Sequence, residues 1–361
     1  MKKKLLLVLL LFLPALLLLA GVNYFVDPVN LYHGDAKELV RLLCEGKEVN
    51  TGSGNMDERQ IKKSLIESMP GEADCVVLGP SLALTVDRKL TGEERLYNLA
   101  MSGADLYDIL AQLGIMEIEG VHPKRILFCV ESSFFDEGIY GTMSRSAGLM
   151  PYANYMLERL DGKEGTVPKE GSFLRTDIPG LLCSVTLFQS SVDYLLEHGP
   201  EGVKELRFRV REDQEDGNAY LQVDGSLVYS KQYRLAGADD VIRSASEYNM
   251  DYFFHRDGHI SAYSQEVFVK LVQYCQQNDI QLDLFMAPMS PALWERVKPQ
   301  AESYPLLFEM ETFAYEMARQ YGLNLYGSFD PEQSGLTNDD FYDARHVKYE
   351  VLDRVLNLKI Y

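Results

Sequence analysis

The chain has little cysteine, and what it has is not arranged for cross-linking. Cys44, Cys75, Cys129, Cys183 and Cys275 are spread over 361 residues. An odd number at wide spacing, with no Cys-x-x-Cys, excludes a disulfide framework. Cys75 and Cys129 lie in apolar, strand-like runs and read as buried, inert thiols. An excess of positive charge is also lacking. The formal net charge is −19, and the lysines at positions 2–4 fall outside the part expected to fold. So acidic a body has no electrostatic footprint for nucleic acid, and it weighs against tight binding of a polyanionic polymer. Internal repeats and low-complexity tracts are absent, so nothing suggests a repeat architecture.

The most pronounced single segment is N-terminal. Lys2, Lys3 and Lys4 precede an apolar stretch from Leu5 to Val22, close to the ~20 residues a helix needs to cross a hydrocarbon core. Lysines on that flank stay cytoplasmic, which would export the body. The rival reading is a cleaved signal peptide, but Leu18 or Leu19 would occupy the position that wants a small residue, and no cysteine follows to accept lipid. The expected organisation is therefore a signal-anchor helix and juxtamembrane segment over residues 1–27 and one extracytoplasmic domain over residues 28–361. The expected location is the cell membrane, single-pass.

Residues 34–56 are Gly-rich and polar and read as a loop. Beyond them, short apolar strands alternate with amphipathic helices. Strands are predicted at Cys75–Leu78, Leu96–Leu99, Arg125–Val130, Ile280–Ala287 and Leu323–Tyr326. Helices are predicted over residues 56–69, 103–116 (stopped by Pro123), 261–276, 304–321 and 347–358. The alternation breaks between about residues 134 and 250 and then resumes, so that region reads as an insertion. It holds helical patches at 151–160 and 181–196 and a hairpin signal, Asp224-Gly225 between Tyr220–Val223 and Ser226–Tyr229. The expected fold class is α/β, a three-layer α/β/α arrangement around a mostly parallel, five-stranded, doubly wound sheet with a large insertion after the third strand. In such sheets ligands bind beyond the carboxyl ends of the strands.

Several chemistry-bearing residues follow predicted strands and so share that edge. Ser81 comes directly after the first strand, behind Gly79 and Pro80. It reads either as a helix-capping serine or as a nucleophile at a helix start. Gly103 follows the second strand and reads either as a turn glycine or as a backbone donor toward the same place. Glu131, Ser132 and Ser133 follow the third strand, and Met289 and Ser290 the fourth. Asp343 and His346, three residues apart, follow the last. They read as a helix-start aspartate beside a surface histidine, or as the orienter and base of an acyl-transfer site. His255 and His259 have helical i, i+4 spacing, but Gly258 argues against a continuous helix and no third ligand is evident, so no metal is expected. They read as a polar loop, with substrate contact as the functional alternative. Tyr342 is one of 22 tyrosines. A tyrosine-rich rim would suit carbohydrate, although packing accounts for most such residues.

Together these blocks resemble the SGNH (GDSL-like) hydrolase superfamily, and more narrowly its membrane-anchored members that act on cell-envelope polymers. Gly79-Pro80-Ser81 stands where that family has Gly-Asp-Ser, Asn98 to Gly103 matches its second block, and Asp343-Ala344-Arg345-His346 matches its final Asp-x-x-His. The likeness covers residues 70–361. It implies Ser81 as nucleophile, His346 as general base and acid, Asp343 as its orienter, and the Ser81 and Gly103 N–H groups as oxyanion donors. Two positions depart. Pro80 replaces the usual aspartate, and the third block, whose asparagine side chain is an oxyanion donor, reads Glu131-Ser132-Ser133 here. Loss of one such donor costs roughly 10²–10³ in turnover, and Ser133, or Ser132, is the candidate substitute.

The resemblance implies an extracytoplasmic serine esterase or O-acyltransferase working on acyl, in particular acetyl, groups of a cell-envelope glycan. It implies no cofactor, a partner list of glycan and membrane, and no nucleic acid. Ser132, His255, His259 and Tyr342 are the candidate substrate contacts. The alternative is a catalytically degenerate member of the fold that binds a glycan or an envelope-assembly partner.

Overall fold

The computed structural model describes residues 2–28, 30, 32–51, 56–136, 147–169, 182–212 and 217–361, excluding the side chains of residues 2–11, of Ala147 and of Glu205. Residues 137–146, 170–181 and 213–216 of the expected insertion, and 52–55 of the expected loop at 34–56, lie outside that description.

Five parallel strands form the main sheet: β2 (Glu72–Leu78), β3 (Leu96–Asn98), β4 (His122–Cys129), β8 (Gln281–Met286) and β9 (Asn324–Gly327). Their order is β3-β2-β4-β8-β9. The apolar runs that suggested them are buried without alternation: Cys75–Leu78 in β2, Ile126–Cys129 in β4 and Leu282–Met286 in β8. Continuous burial is what a parallel strand covered on both faces requires. The chain steps from β2 out to the edge at β3 and returns to β4 on the other side of β2. The strand order therefore reverses at β2, and the crevice of such a reversal opens beyond the carboxyl end of that strand. Every expected strand and helix of this framework is present within a few residues. Pro123, expected as a helix stop, instead lies at the start of β4, paired with Ala73, a position where its missing N–H is tolerated.

The stretch 34–56 is not a loop throughout. Asp35 caps a helix at Ala36–Cys44, its carboxylate accepting from the Lys37 and Glu38 N–H groups, and Leu39, Val40 and Leu43 are buried along one stripe. That cap and stripe outweigh the flanking glycines. β1 (Val49–Asn50) follows and joins a second, antiparallel sheet with β5 (Arg209–Val210), β6 (Tyr220–Leu221) and β7 (Leu227–Val228), in the order β5-β1-β6-β7. The expected Asp224-Gly225 hairpin is its β6–β7 pair, with Gly225 at a φ of +83°.

The insertion is pinned to the framework at several places. Its helix Met150–Leu160 lies so close to the helix Leu106–Ile118 that a Cβ on Gly114 would stand 2.5 Å from the Tyr152 carbonyl. Lys62, fully buried, donates to the carbonyls of Asn98 (2.8 Å) and Gly225 (2.7 Å), joining the end of β3 to the hairpin turn. The N-terminal helix spans Lys2–Val26. Its exit is held by Arg207, whose guanidinium donates to the Phe25, Val26 and Asp27 carbonyls, the groups a helix C-terminus leaves unpaired. Among the described residues no helix is long and apolar enough to cross a membrane.

Candidate active site

β2 ends at Leu78, and Gly79 turns the chain at a φ of +142°. A Cβ there would stand 2.6 Å from the Cys129 Cβ at the end of β4, so only glycine fits. Pro80 then precedes a single 3₁₀ turn over Ser81–Ala83. The buried Asn98 side chain braces this loop, donating to the carbonyls of Ala83 (2.7 Å) and Val86 (2.8 Å). Leu227 N–H of β7 donates to the Leu84 carbonyl at 2.8 Å, so the insertion braces it from the other side.

Beyond β9, residues 341–347 form a closed bend. Phe341 and Val347 pair as an isolated bridge, and the Tyr342 N–H donates to the His346 carbonyl at 2.8 Å. Three regions of the chain tie the bend down. The Ser290 N–H, after β8, donates to the Ala344 carbonyl, and the Ala344 N–H donates to the Ser244 hydroxyl. Arg345 reaches Glu131, at the exit of β4, at 2.5 Å. Both partners of this ion pair are more than nine-tenths buried. The i, i+3 spacing of Asp343 and His346 therefore works through a tight bend and not through a helical turn.

Within this frame Ser81, His346 and Asp343 meet. The Ser81 hydroxyl is 2.9 Å from His346 Nε2, and His346 Nδ1 is 2.9 and 3.0 Å from the two Asp343 oxygens. Asp343 also accepts from the Arg345 N–H (2.7 Å), the His346 N–H (2.8 Å) and the Tyr233 hydroxyl (2.6 Å). Burial acts to raise its carboxyl, but the adjacent imidazole and these donors prevail and hold it well below the usual carboxylate range. Asp343 is thus an acceptor that fixes Nδ1 as the protonated nitrogen and leaves Nε2 free to accept from the serine hydroxyl. A hydroxyl, an imidazole and a carboxylate so connected can carry nucleophilic acyl transfer.

The oxyanion candidates divide. Gly103 is exposed at a φ of +57°, and its carbonyl is taken by Arg59 at 3.2 Å. The neighbouring Ser102 N–H and hydroxyl are both engaged by Glu58, which leaves Gly103 as the open backbone donor of that block among the described residues. Ser132 faces away from solvent, its N–H and hydroxyl both on Glu131 Oε1 at 3.1 and 3.0 Å. Ser133 is half-buried next to it.

The remaining candidates are engaged by other partners. His255 pairs with Asp136 at 2.6 Å, and His259 with Glu309 at 2.7 Å with its side chain 68% exposed. No metal-binding cluster occurs among the described residues. Tyr342 is buried, and its hydroxyl accepts from the Tyr349 N–H. Its ring contributes to a cluster with Tyr229 and Tyr233 beside His346. Sequence reasoning missed Tyr229 and Tyr233 as site residues, and the Glu131–Arg345 pair with them. The only local signal was position, since Tyr229 ends the hairpin and Tyr233 follows four residues later. Scans against protein-family models and against curated proteins found no match to the chain.

Proposed function

We propose that the protein is an SGNH-like serine esterase or O-acyltransferase, anchored by its N-terminal helix and acting outside the cytoplasm on acyl groups of a cell-envelope glycan. The observation that carries this reading is the unbroken contact series Ser81 Oγ to His346 Nε2 to Asp343, positioned at the strand-order reversal where a parallel sheet offers its crevice. Helices on both faces of that sheet, in a three-layer doubly wound arrangement, complete the proposed fold.

In the proposed cycle His346 Nε2 takes the Ser81 proton as Oγ bonds to the acyl carbonyl carbon. The Ser81 and Gly103 N–H groups face the resulting oxyanion. His346 then gives the proton to the departing sugar oxygen, and the acyl group remains on Ser81. Water, or a sugar hydroxyl in the transferase version, attacks that ester with His346 as base, and Ser81 regains its proton. The −19 charge favours a neutral or weakly charged acceptor over a polyanion. The apolar run Leu5–Val22 behind Lys2, Lys3 and Lys4 supports the anchor, being close to the ~20 residues that a span of the hydrocarbon core needs.

Full-length protein in detergent micelles should hydrolyse an activated acetyl ester, and Ser81→Ala should abolish the turnover. Equal activity in Ser81→Ala overturns the assignment. One observation favours a second reading, a non-catalytic binder. Glu131 stands where the family has its oxyanion asparagine region, and it engages both Ser132 donors. Retained glycan binding by a wild-type protein without esterase activity would support it.

A further inference from the structure

Ser81, Asp343 and His346 come from loops at the edge of the sheet, but the carboxylate of the series has a partner from outside the sheet. Tyr233 lies in a helical turn, Lys231–Arg234, of the insertion, 110 residues before Asp343 in the chain. Its hydroxyl is 2.6 Å from Asp343 Oδ2 and 3.3 Å from His346 Nδ1. Oδ1 already accepts two backbone N–H groups, and Tyr233 joins His346 Nδ1 on Oδ2, where it is the side-chain donor from outside the Ser–His–Asp series. We propose that Tyr233 is a positioning residue of the triad. Its phenol locks the Asp343 carboxylate, and through it the His346 ring, so that the insertion completes the machinery that the sheet only begins. This inference rests on the acyl-transfer reading for its kinetic consequence but not for its structural one.

Three further observations support it. First, the phenol keeps its proton. Burial, with the Asp343 charge next in importance, raises it well above the ordinary tyrosine value, so Tyr233 donates and Asp343 accepts. Second, the segment is held from both directions. On its N-terminal side the hairpin is keyed to the nucleophile's neighbourhood, through the Asn98 N–H on the Asp224 carbonyl and the Arg88 N–H on Asp224 Oδ2. On its C-terminal side Lys348 Nζ donates to the Ala236 carbonyl and the Ala238 N–H to Asp339. The same braces thus fix Tyr233 to the serine loop and to the histidine loop. Third, its ring packs on Tyr229 at 4.8 Å and on Tyr342 at 5.3 Å between centroids, which leaves the phenol little freedom to leave Asp343.

The test uses Tyr233→Phe, which keeps the ring and removes the donor, in the full-length protein in detergent. With an activated acetyl ester, kcat should fall about 10- to 100-fold while KM stays within about twofold, the signature of misplacement and not of lost binding. In a double-mutant cycle with Asp343→Asn, Tyr233→Phe should add almost nothing, because it acts through that carboxylate. The hydrogen-bonded Nδ1–H proton of His346 should shift or broaden in the NMR spectrum of Tyr233→Phe, with the melting temperature nearly unchanged. Additive losses, or an unaltered Nδ1–H resonance, would overturn the proposal. The resonance decides the matter even if wild-type protein shows no serine-dependent turnover, a result that would contradict the acyl-transfer reading by itself.

Discussion

His346 stands 2.9 Å from Asp343, His255 2.6 Å from Asp136 and His259 2.7 Å from Glu309. Judged by that contact alone, the three histidine–carboxylate pairs are alike. Their surroundings differ. His346 has a serine hydroxyl on its far nitrogen and a carboxylate that three other donors hold in place. His255 adopts a φ of +52° where the chain returns to pair Ile260 with Asp136, so its contact pins a crossing. His259 is largely exposed against a helix. Among the described residues neither has a serine on its other ring nitrogen. A histidine beside a carboxylate is common. A prearranged acceptor behind it and a nucleophile in front of it make it a candidate base.

That comparison breaks most visibly in kinetics. Ser81→Ala and His346→Gln should each lower kcat for an activated acetyl ester by a factor on the order of 10⁶, whereas His255→Gln and His259→Gln should stay within about twofold. A comparable loss at His255 would place a second titrating group in the reaction. Next in size is Asp343→Asn, which keeps the shape but lets the imidazole take the other tautomer. Turnover should fall by about 10³–10⁴ with the fold retained, whereas Asp136→Asn should leave turnover nearly intact.

Stability sharpens the contrast. Glu131→Ala would leave the buried Arg345 guanidinium without its carboxylate, with the Tyr248 hydroxyl at 3.3 Å as its remaining polar side-chain neighbour among the described residues. Removing one partner of a buried pair costs about 3–5 kcal/mol, readable as a lower midpoint in urea. The bend that carries Asp343 and His346 should loosen with it, so activity should fall more steeply with urea than in the wild type. A smaller effect is the pH dependence of stability. Because the folded-state carboxyl of Asp343 is lowered, its contribution is fully present above the unfolded value of about 3.9 and is lost as the pH falls below it. The difference in melting temperature between wild type and Asp343→Asn should therefore shrink below about pH 4. A difference independent of pH would show that the charge has no such role.

The parallel sheet and the three central residues were legible in the sequence for one physical reason. Buried parallel strands are continuous apolar runs, and the residue after each run falls on the same edge, so Ser81, Gly103 and the Asp343–His346 pair could be assigned to one rim without knowing how the loops close. What was not legible depends on contacts between distant residues. Arg345 and Glu131 are 214 positions apart, and Tyr233 and Asp343 are 110 apart. Of the second sheet only the β6–β7 hairpin was legible, through its Asp224-Gly225 turn, whereas β1 and β5 are two-residue strands, too short to leave a period. The helix Ala36–Cys44 was hidden by glycine-rich flanks, although its cap and buried stripe were written in the chain. Ser132 illustrates the same limit, since its position suggested a donor and only the side chain of Glu131 shows that the hydroxyl is engaged.

The central claim is that Ser81 is a nucleophile activated by His346. The most direct test is to expose folded, full-length protein to a serine-directed fluorophosphonate and read the modified peptide by mass spectrometry. The account predicts a single adduct on the peptide containing Ser81, absent in Ser81→Ala and strongly slowed in His346→Gln. Folded wild-type protein that takes no label, or Ser81→Ala that labels at the wild-type rate, would contradict it.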